Sequence, residues 1–182
     1  MQTKSCLCFV TMLLLLTFFL SLFPCKALAD QQTISLGYGL GVLNNTRQVG
    51  HLWGNDYYDF GHIAYGYEKT LSGKFNLLIE PFLSILNRPS TGLDVGLTLN
   101  GRYYFGPVNH RGFFATVGGG GVYTSIRFHE QGTHGLFVLH GGVGYKWERL
   151  SVEGRFRHYS NASLAHPNRS VNATIVSLGC AF

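Results

Sequence analysis

His158 and Ser160 stand two residues apart in the run RFRHYSNASLAHPNRSVN, Arg155 to Asn172. In an extended strand, residues i and i+2 project from one face with Cα atoms roughly 6.5–7 Å apart, so an imidazole nitrogen can reach a serine hydroxyl. That hydroxyl is a poor nucleophile at neutral pH until a neighbouring base takes its proton, and imidazole has the right pKa for the task. The pair could therefore attack an ester, with a third polar group holding the imidazole's tautomer. Each residue alone has a plainer use: a histidine can snorkel at an interface, and a serine can begin a loop. What the pair means depends on the face it occupies.

That face is set by the elements around it. From Thr33 onward the chain alternates with period two, broken by turn residues, and no segment reads as a helix. TISLGYGLGV puts Ile34, Leu36, Tyr38, Leu40 and Val42 on one face, with Ser35 and three glycines on the other. LDVGLTLNGRYYF sets Leu93, Val95, Leu97, Leu99 and Tyr103 against Asp94, Thr98, Asn100 and Arg102. Eight strands are expected, at 33–42, 57–68, 74–86, 93–105, 113–126, 135–147, 150–159 and 172–182. KTLSGK, GPVNHR and Glu148-Arg149 connect them at one end; the connectors at the other end are mostly longer and more polar.

Eight antiparallel strands with short turns at one end and long loops at the other make an all-β, eight-stranded transmembrane barrel of the bacterial outer membrane. A water-soluble barrel would hold its apolar residues inside. Here Glu80, Asp94, Arg102, Glu153, Arg155 and Arg157 share the face opposite the aliphatic one, which suits a polar, hydrogen-bonded lumen and a lipid-facing band. Tyr67, Phe75, Tyr103, Phe105, Phe113, Tyr145 and Trp147 cluster at the short-turn ends, where an interfacial girdle belongs. Phe182 closes a last strand that carries Val176, Leu178 and Cys180 at steps of two. GGGG at 118–121 lacks the lysine and helix of a phosphate loop and reads as tight packing against interior side chains.

In LSVEGRFRHYS, Glu153, Arg155 and Arg157 must face the lumen, so Phe156, His158 and Ser160 point at lipid near the long-loop, extracellular end. Polar groups on a lipid face are costly and suggest function. Asn172 begins the antiparallel partner strand with outward parity, beside Thr174 and Val176, and is the natural neighbour of His158 across the ladder.

The N-terminus bounds the compartment. Lys4, the apolar run Phe9 to Phe23 and Ala27-Leu28-Ala29 form a secretory signal peptide over residues 1–29, leaving one barrel domain over 30–182. A retained anchor is the competing reading of that run. Cys6, Cys8 and Cys25 leave with the signal, so Cys180 is the one cysteine exported, with no disulfide framework and no cysteine-based zinc site. Of 14 Lys and Arg, Lys4 and Lys26 also leave, and 12 against 9 Asp and Glu gives a formal +3, too small and scattered for nucleic acid. His129, His134, His140 and His166 are too dispersed for a metal site. No cofactor is implied.

In HYSNASLAHPNRSVN, His158 to Asn172, the chain resembles the lipid A 3-O-deacylases (the PagL family) of Gram-negative outer membranes, with their His-x-Ser-Asn run followed by a Pro-Asn pair. The resemblance implies His158 as general base, Ser160 as nucleophile and the backbone N–H groups at Asn161 as part of an oxyanion hole. It implies lipid A, or whole lipopolysaccharide, as substrate, and the outer membrane as setting. Asn172 takes the orienting position where the family has a glutamate, and Ser163 stands where the family has a glycine. A non-enzymatic small barrel, structural or adhesin-like with a decayed site, is the alternative. Monomer and homodimer both stay open.

Overall fold

A computed structural model describes residues 30–43, 57–88, 90–106, 110–126, 128, 131–169 and 171–182. The leader expected over residues 1–29 lies outside the described residues, as does His129. The strands are β1 (Gln31–Leu43), β2 (Tyr57–Ser72), β3 (Phe75–Leu86), β4 (Gly92–Tyr104), β5 (Gly112–Thr124), β6 (Gly135–Lys146), β7 (Leu150–Ser160) and β8 (Val171–Ala181). Each pairs antiparallel with the next, and β1 pairs with β8, so the sheet closes into a barrel with no free edge.

All eight expected strands are present. The largest difference in extent is β2, which runs to Ser72 and leaves a turn at Gly73-Lys74 instead of a six-residue connector. Gly73 takes φ +49°, a conformation glycine adopts without strain, so the hairpin closes tightly there. Beside this turn Asp30 takes Lys69 Nζ at 2.8 Å and Thr70 N at 2.7 Å, and these bonds hold its carboxyl down to about 2.

The outer wall is a belt of exposed aliphatic side chains, with Val117 69% and Leu178 67% accessible. Water would not tolerate so continuous an apolar surface, whereas acyl chains match it. Near the short turns, rings pack edge to edge in pairs, Tyr103 with Phe105, Phe113 with Tyr145 and Tyr145 with Trp147. One carboxylate breaks the belt near the long-loop end. Asp59 pairs with Leu40 and so has outward parity, yet is buried under Tyr38 Oη at 2.7 Å, Asn87 Nδ2 at 3.2 Å and Arg88 Nε at 3.4 Å.

The lumen has two layers. Nearer the short turns, Arg155 donates Nε to Glu153 Oε1 at 2.7 Å and Nη2 to Glu80 Oε2 at 2.9 Å, with Nη1 also on Glu80. Arg102 spans Glu68 at 3.1 Å and Glu153 at 2.9 Å. Nearer the long loops the filling is mostly apolar: Tyr58, Phe60, Phe82, Leu86, Val122, Leu136, Val138 and Ile175 are buried together, with Phe128 inserted from the β5–β6 loop and with Ser84, Asp94 and Thr124 buried among them. The charged residues expected in the lumen are there, and apolar side chains share it with them. Arg157, with its guanidinium 4.4 Å from the Phe82 ring centroid, joins the layers.

Glycines give these fillings room. A Cβ at Gly39 would lie 2.1 Å from the Phe60 ring, and one at Gly41 1.7 Å from Tyr58. A Cβ at Gly118, in the GGGG run, would lie 2.0 Å from Asn100 Oδ1, the oxygen that accepts His140 Nε2 at 2.6 Å.

Removing Arg155 would leave Glu80 and Glu153 facing each other, buried and without that partner. Arg155→Met should therefore destabilise the barrel by about 3–5 kcal/mol, read as a lower urea midpoint for unfolding in detergent. An unchanged midpoint would mean that the network is not structural.

Candidate active site

The phase of β7 places the pair. Glu153, Arg155, Arg157 and Tyr159 are buried in the lumen, Phe156 is exposed, and His158 and Ser160 are half-buried on the outer wall. Across the ladder His158 sits opposite Leu139 on one side and Asn172 on the other, and Ser160 sits opposite Phe137. His158 Nδ1 lies 2.8 Å from Asn172 Oδ1. An amide oxygen only accepts, so this bond selects the Nδ1–H tautomer and leaves the Nε2 lone pair free to take a proton.

The Ser160 hydroxyl donates to Asn168 Oδ1 at 3.3 Å and accepts Ala162 N–H at 3.1 Å. Its resting partner is thus Asn168 rather than His158, although both side chains share a face. Catalytic hydrogen bonds are often long or misaligned before substrate arrives. Asn168 Oδ1 also accepts Asn161 N–H at 3.3 Å, and Asn168 Nδ2 donates to Ser163 Oγ at 3.2 Å. An amide carbonyl oxygen therefore already sits where one hydroxyl and one backbone N–H converge.

Asn161 divides its roles. Its side chain is fully buried and turned away, donating Nδ2 to Gln131 O at 2.5 Å, Ala165 O at 2.9 Å and Pro167 O at 3.2 Å, so only its backbone N–H faces the serine. Its Oδ1 accepts Ser163 N–H at 2.8 Å across a turn in which Ala162 and Ser163 have φ of +51° and +64°. Asn168 lay in the Pro-Asn pair visible in the sequence; Gln131, in a loop without alternation, gave no signal.

Among the described residues, the other histidines do not join the site. His140 is in the lumen, His134 Nδ1 bonds Thr124 O at 2.8 Å, and His166 is exposed on the β7–β8 loop. Among the described residues no three His, Cys, Asp or Glu side chains gather as metal ligands.

The family model described as lipid A 3-O-deacylase (PagL) matches residues 32–181, nearly the whole barrel. The chain belongs to the PagL family. That family match supports an outer-membrane lipid A deacylase at family level. Among solved structures, the outer membrane enzyme PagL is similar with a TM-score of 0.61 at 15% identity, over 80% of this chain and 98% of that one. Neisserial surface protein A reaches 0.51 at 12% identity, over 83% and 94%. The N-terminal barrel domain of Pseudomonas aeruginosa OprF reaches 0.50 at 13% identity, over 82% and 97%. These likenesses show the barrel, a scaffold shared by proteins of different names, so the chemistry must be argued from the site. Curated proteins offer no sequence match.

The tautomer is directly measurable. Nitrogen-15 NMR of His158 in detergent should show the proton on Nδ1, and Asn172→Leu should give a mixture of tautomers. A dominant Nε2–H form in the parent protein would contradict the His158–Asn172 bond.

Proposed function

We propose that the protein is a serine hydrolase that removes the ester-linked 3-O acyl chain of lipid A, exported by a leader cleaved near Ala29. The observation that carries this reading is His158 held by Asn172 at 2.8 Å, on the lipid wall, beside a serine of the same face.

An acyl chain in the outer leaflet lies along the wall and brings its ester carbonyl to Ser160. His158 Nε2 takes the hydroxyl proton as Oγ bonds to the carbonyl carbon. Negative charge on the carbonyl oxygen meets Asn161 N–H and Ala162 N–H, the groups now engaged with Asn168 Oδ1 and Ser160 Oγ. Collapse breaks the ester C–O bond, and His158 returns its proton to the departing sugar oxygen. Water then repeats the cycle on the acyl-serine and releases a 3-hydroxy fatty acid. No metal or cofactor enters these steps.

Asn172 orients the imidazole but carries no charge to stabilise the imidazolium that forms. The reaction should therefore run, more slowly than with a carboxylate there. Asn172→Glu should raise kcat on lipid A in mixed micelles and Asn172→Ala should lower it; a parent-like rate in Asn172→Ala would assign orientation to another group.

Ser160→Ala and His158→Ala should each leave a folded, heat-modifiable barrel and cut deacylation by roughly 10⁴-fold or more, with the double variant little worse because the groups act as one unit. Mass spectrometry of lipid A from expressing cells reads the outcome. Undiminished release of 3-hydroxy acid by Ser160→Ala excludes the serine mechanism. A parent protein and Asn172→Glu that are both silent would favour the non-enzymatic barrel.

A further inference from the structure

The loop between β7 and β8 carries Asn161, Ala162 and Asn168, and its two ends are tied by one side chain from another hairpin. Gln131, in the β5–β6 loop, is fully buried. Its Nε2 donates to Tyr159 O at 3.3 Å, just before Ser160, and also to Arg169 O, just after Asn168. Its own carbonyl oxygen accepts Asn161 Nδ2 at 2.5 Å. One residue thus meets the chain before the serine, directly after it, and at the far end of the loop.

Gln131 is itself anchored. Its N–H and that of Gly132 both bond Phe128 O, at 3.0 and 3.3 Å, and the Phe128 ring is buried in the lumen 5.4 Å from the Tyr58 ring. Gly132 has φ +63°, and a Cβ there would lie 2.3 Å from His166 O, so the two loops are in direct backbone contact. The lumen filling, the β5–β6 loop and the loop after Ser160 form one packed stack.

We infer that Gln131 is a positioning residue for the reaction: it staples both ends of the 161–169 loop and so fixes where Asn161 N–H and Asn168 stand relative to Ser160 Oγ. This rests on the serine-hydrolase reading for its kinetic consequence, but not for its structural one. The residue touches no reacting atom. It acts through the backbone it holds, and a misplacement of about 1 Å can cost as much as about 100-fold in rate.

The test compares the full chain with Gln131→Leu, which keeps the volume and loses the donors, and Gln131→Glu, which sets a carboxylate against two carbonyl oxygens. Both should keep heat-modifiable migration, because the sheet hydrogen bonds of the wall do not involve this side chain. Amide hydrogen exchange from Ala162 to Asn168 should quicken in each. On lipid A in micelles kcat should fall by about 10- to 100-fold while KM stays within about twofold, since substrate contact is untouched and alignment is lost. Unchanged exchange in both variants overturns the staple. Faster exchange with parent-like kcat overturns its positioning role while leaving the hydrolase reading intact. A parent protein without turnover would sink that reading instead, and the exchange measurement would still decide the staple.

Discussion

A closed sheet offers each strand residue one of two surroundings, and the buried Arg155 settles which residues of β7 receive which. Its guanidinium is matched on both sides by Glu80 and Glu153 and cannot be turned toward lipid without leaving its own charge and that of Glu80 uncompensated and Glu153 with Arg102 alone. A slip of one residue would exchange every side chain between lumen and wall. The ion pairs therefore do more than hold the barrel: by fixing Arg155 inside, they fix Phe156, His158 and Ser160 outside. The placement of Asn172 follows by register, because β8 pairs with β7 residue for residue from His158–Asn172 down to Leu150–Cys180.

Polar chemistry on a lipid face has to be small and well satisfied. His158, Ser160 and Asn172 are small polar groups with hydrogen-bonded partners, and they lie at the last residues of the wall before the loops. An asparagine at position 172 costs less to hold against acyl chains than an ionised carboxylate would, and in the proposed reaction it would supply less electrostatic stabilisation to a charged imidazole. Asp59 shows the other solution on the same wall. A carboxylate with outward parity is tolerated there because Tyr38, Asn87 and Arg88 cover it.

Much of this was legible in the sequence, for a simple reason. Period-two alternation reports parity directly, so the strands, the outward His158 and Ser160, and the neighbour Asn172 could be read from residue order alone. What escaped notice depends on contacts between segments far apart in sequence. The apolar upper lumen is hidden because Phe60, Phe82 and Tyr159 alternate as polar residues would, and only packing reveals that they meet one another. The extension of β2 to Ser72 was masked by Lys69, Thr70 and Ser72, since a strand beyond the lipid no longer needs apolar side chains. Gln131 carries no local pattern at all; its role exists only once the loop after Ser160 is folded over it.

On the proposed serine-hydrolase reading, the position of the His158–Ser160 pair at the rim answers a conflict within the chemistry. Cleaving an acyl ester requires access to lipid, yet clearing the acyl-serine requires water. The apolar filling around Phe60, Phe82 and Phe128 blocks the upper lumen, so the barrel interior is a poor route for water to Ser160. The remaining source is the aqueous side of the long loops, which begins at Asn161, one residue beyond the proposed nucleophile. Placed lower on the wall, toward Gly154 or Val152, the same pair would meet acyl chains and no water. Moved into the loop, it would meet water and lose the ladder that aligns His158 with Asn172. The last residues of β7 satisfy both demands. Under the proposed reading, the adjoining loop, which carries Asn161 and Asn168, bears on turnover as directly as the barrel that aligns the pair.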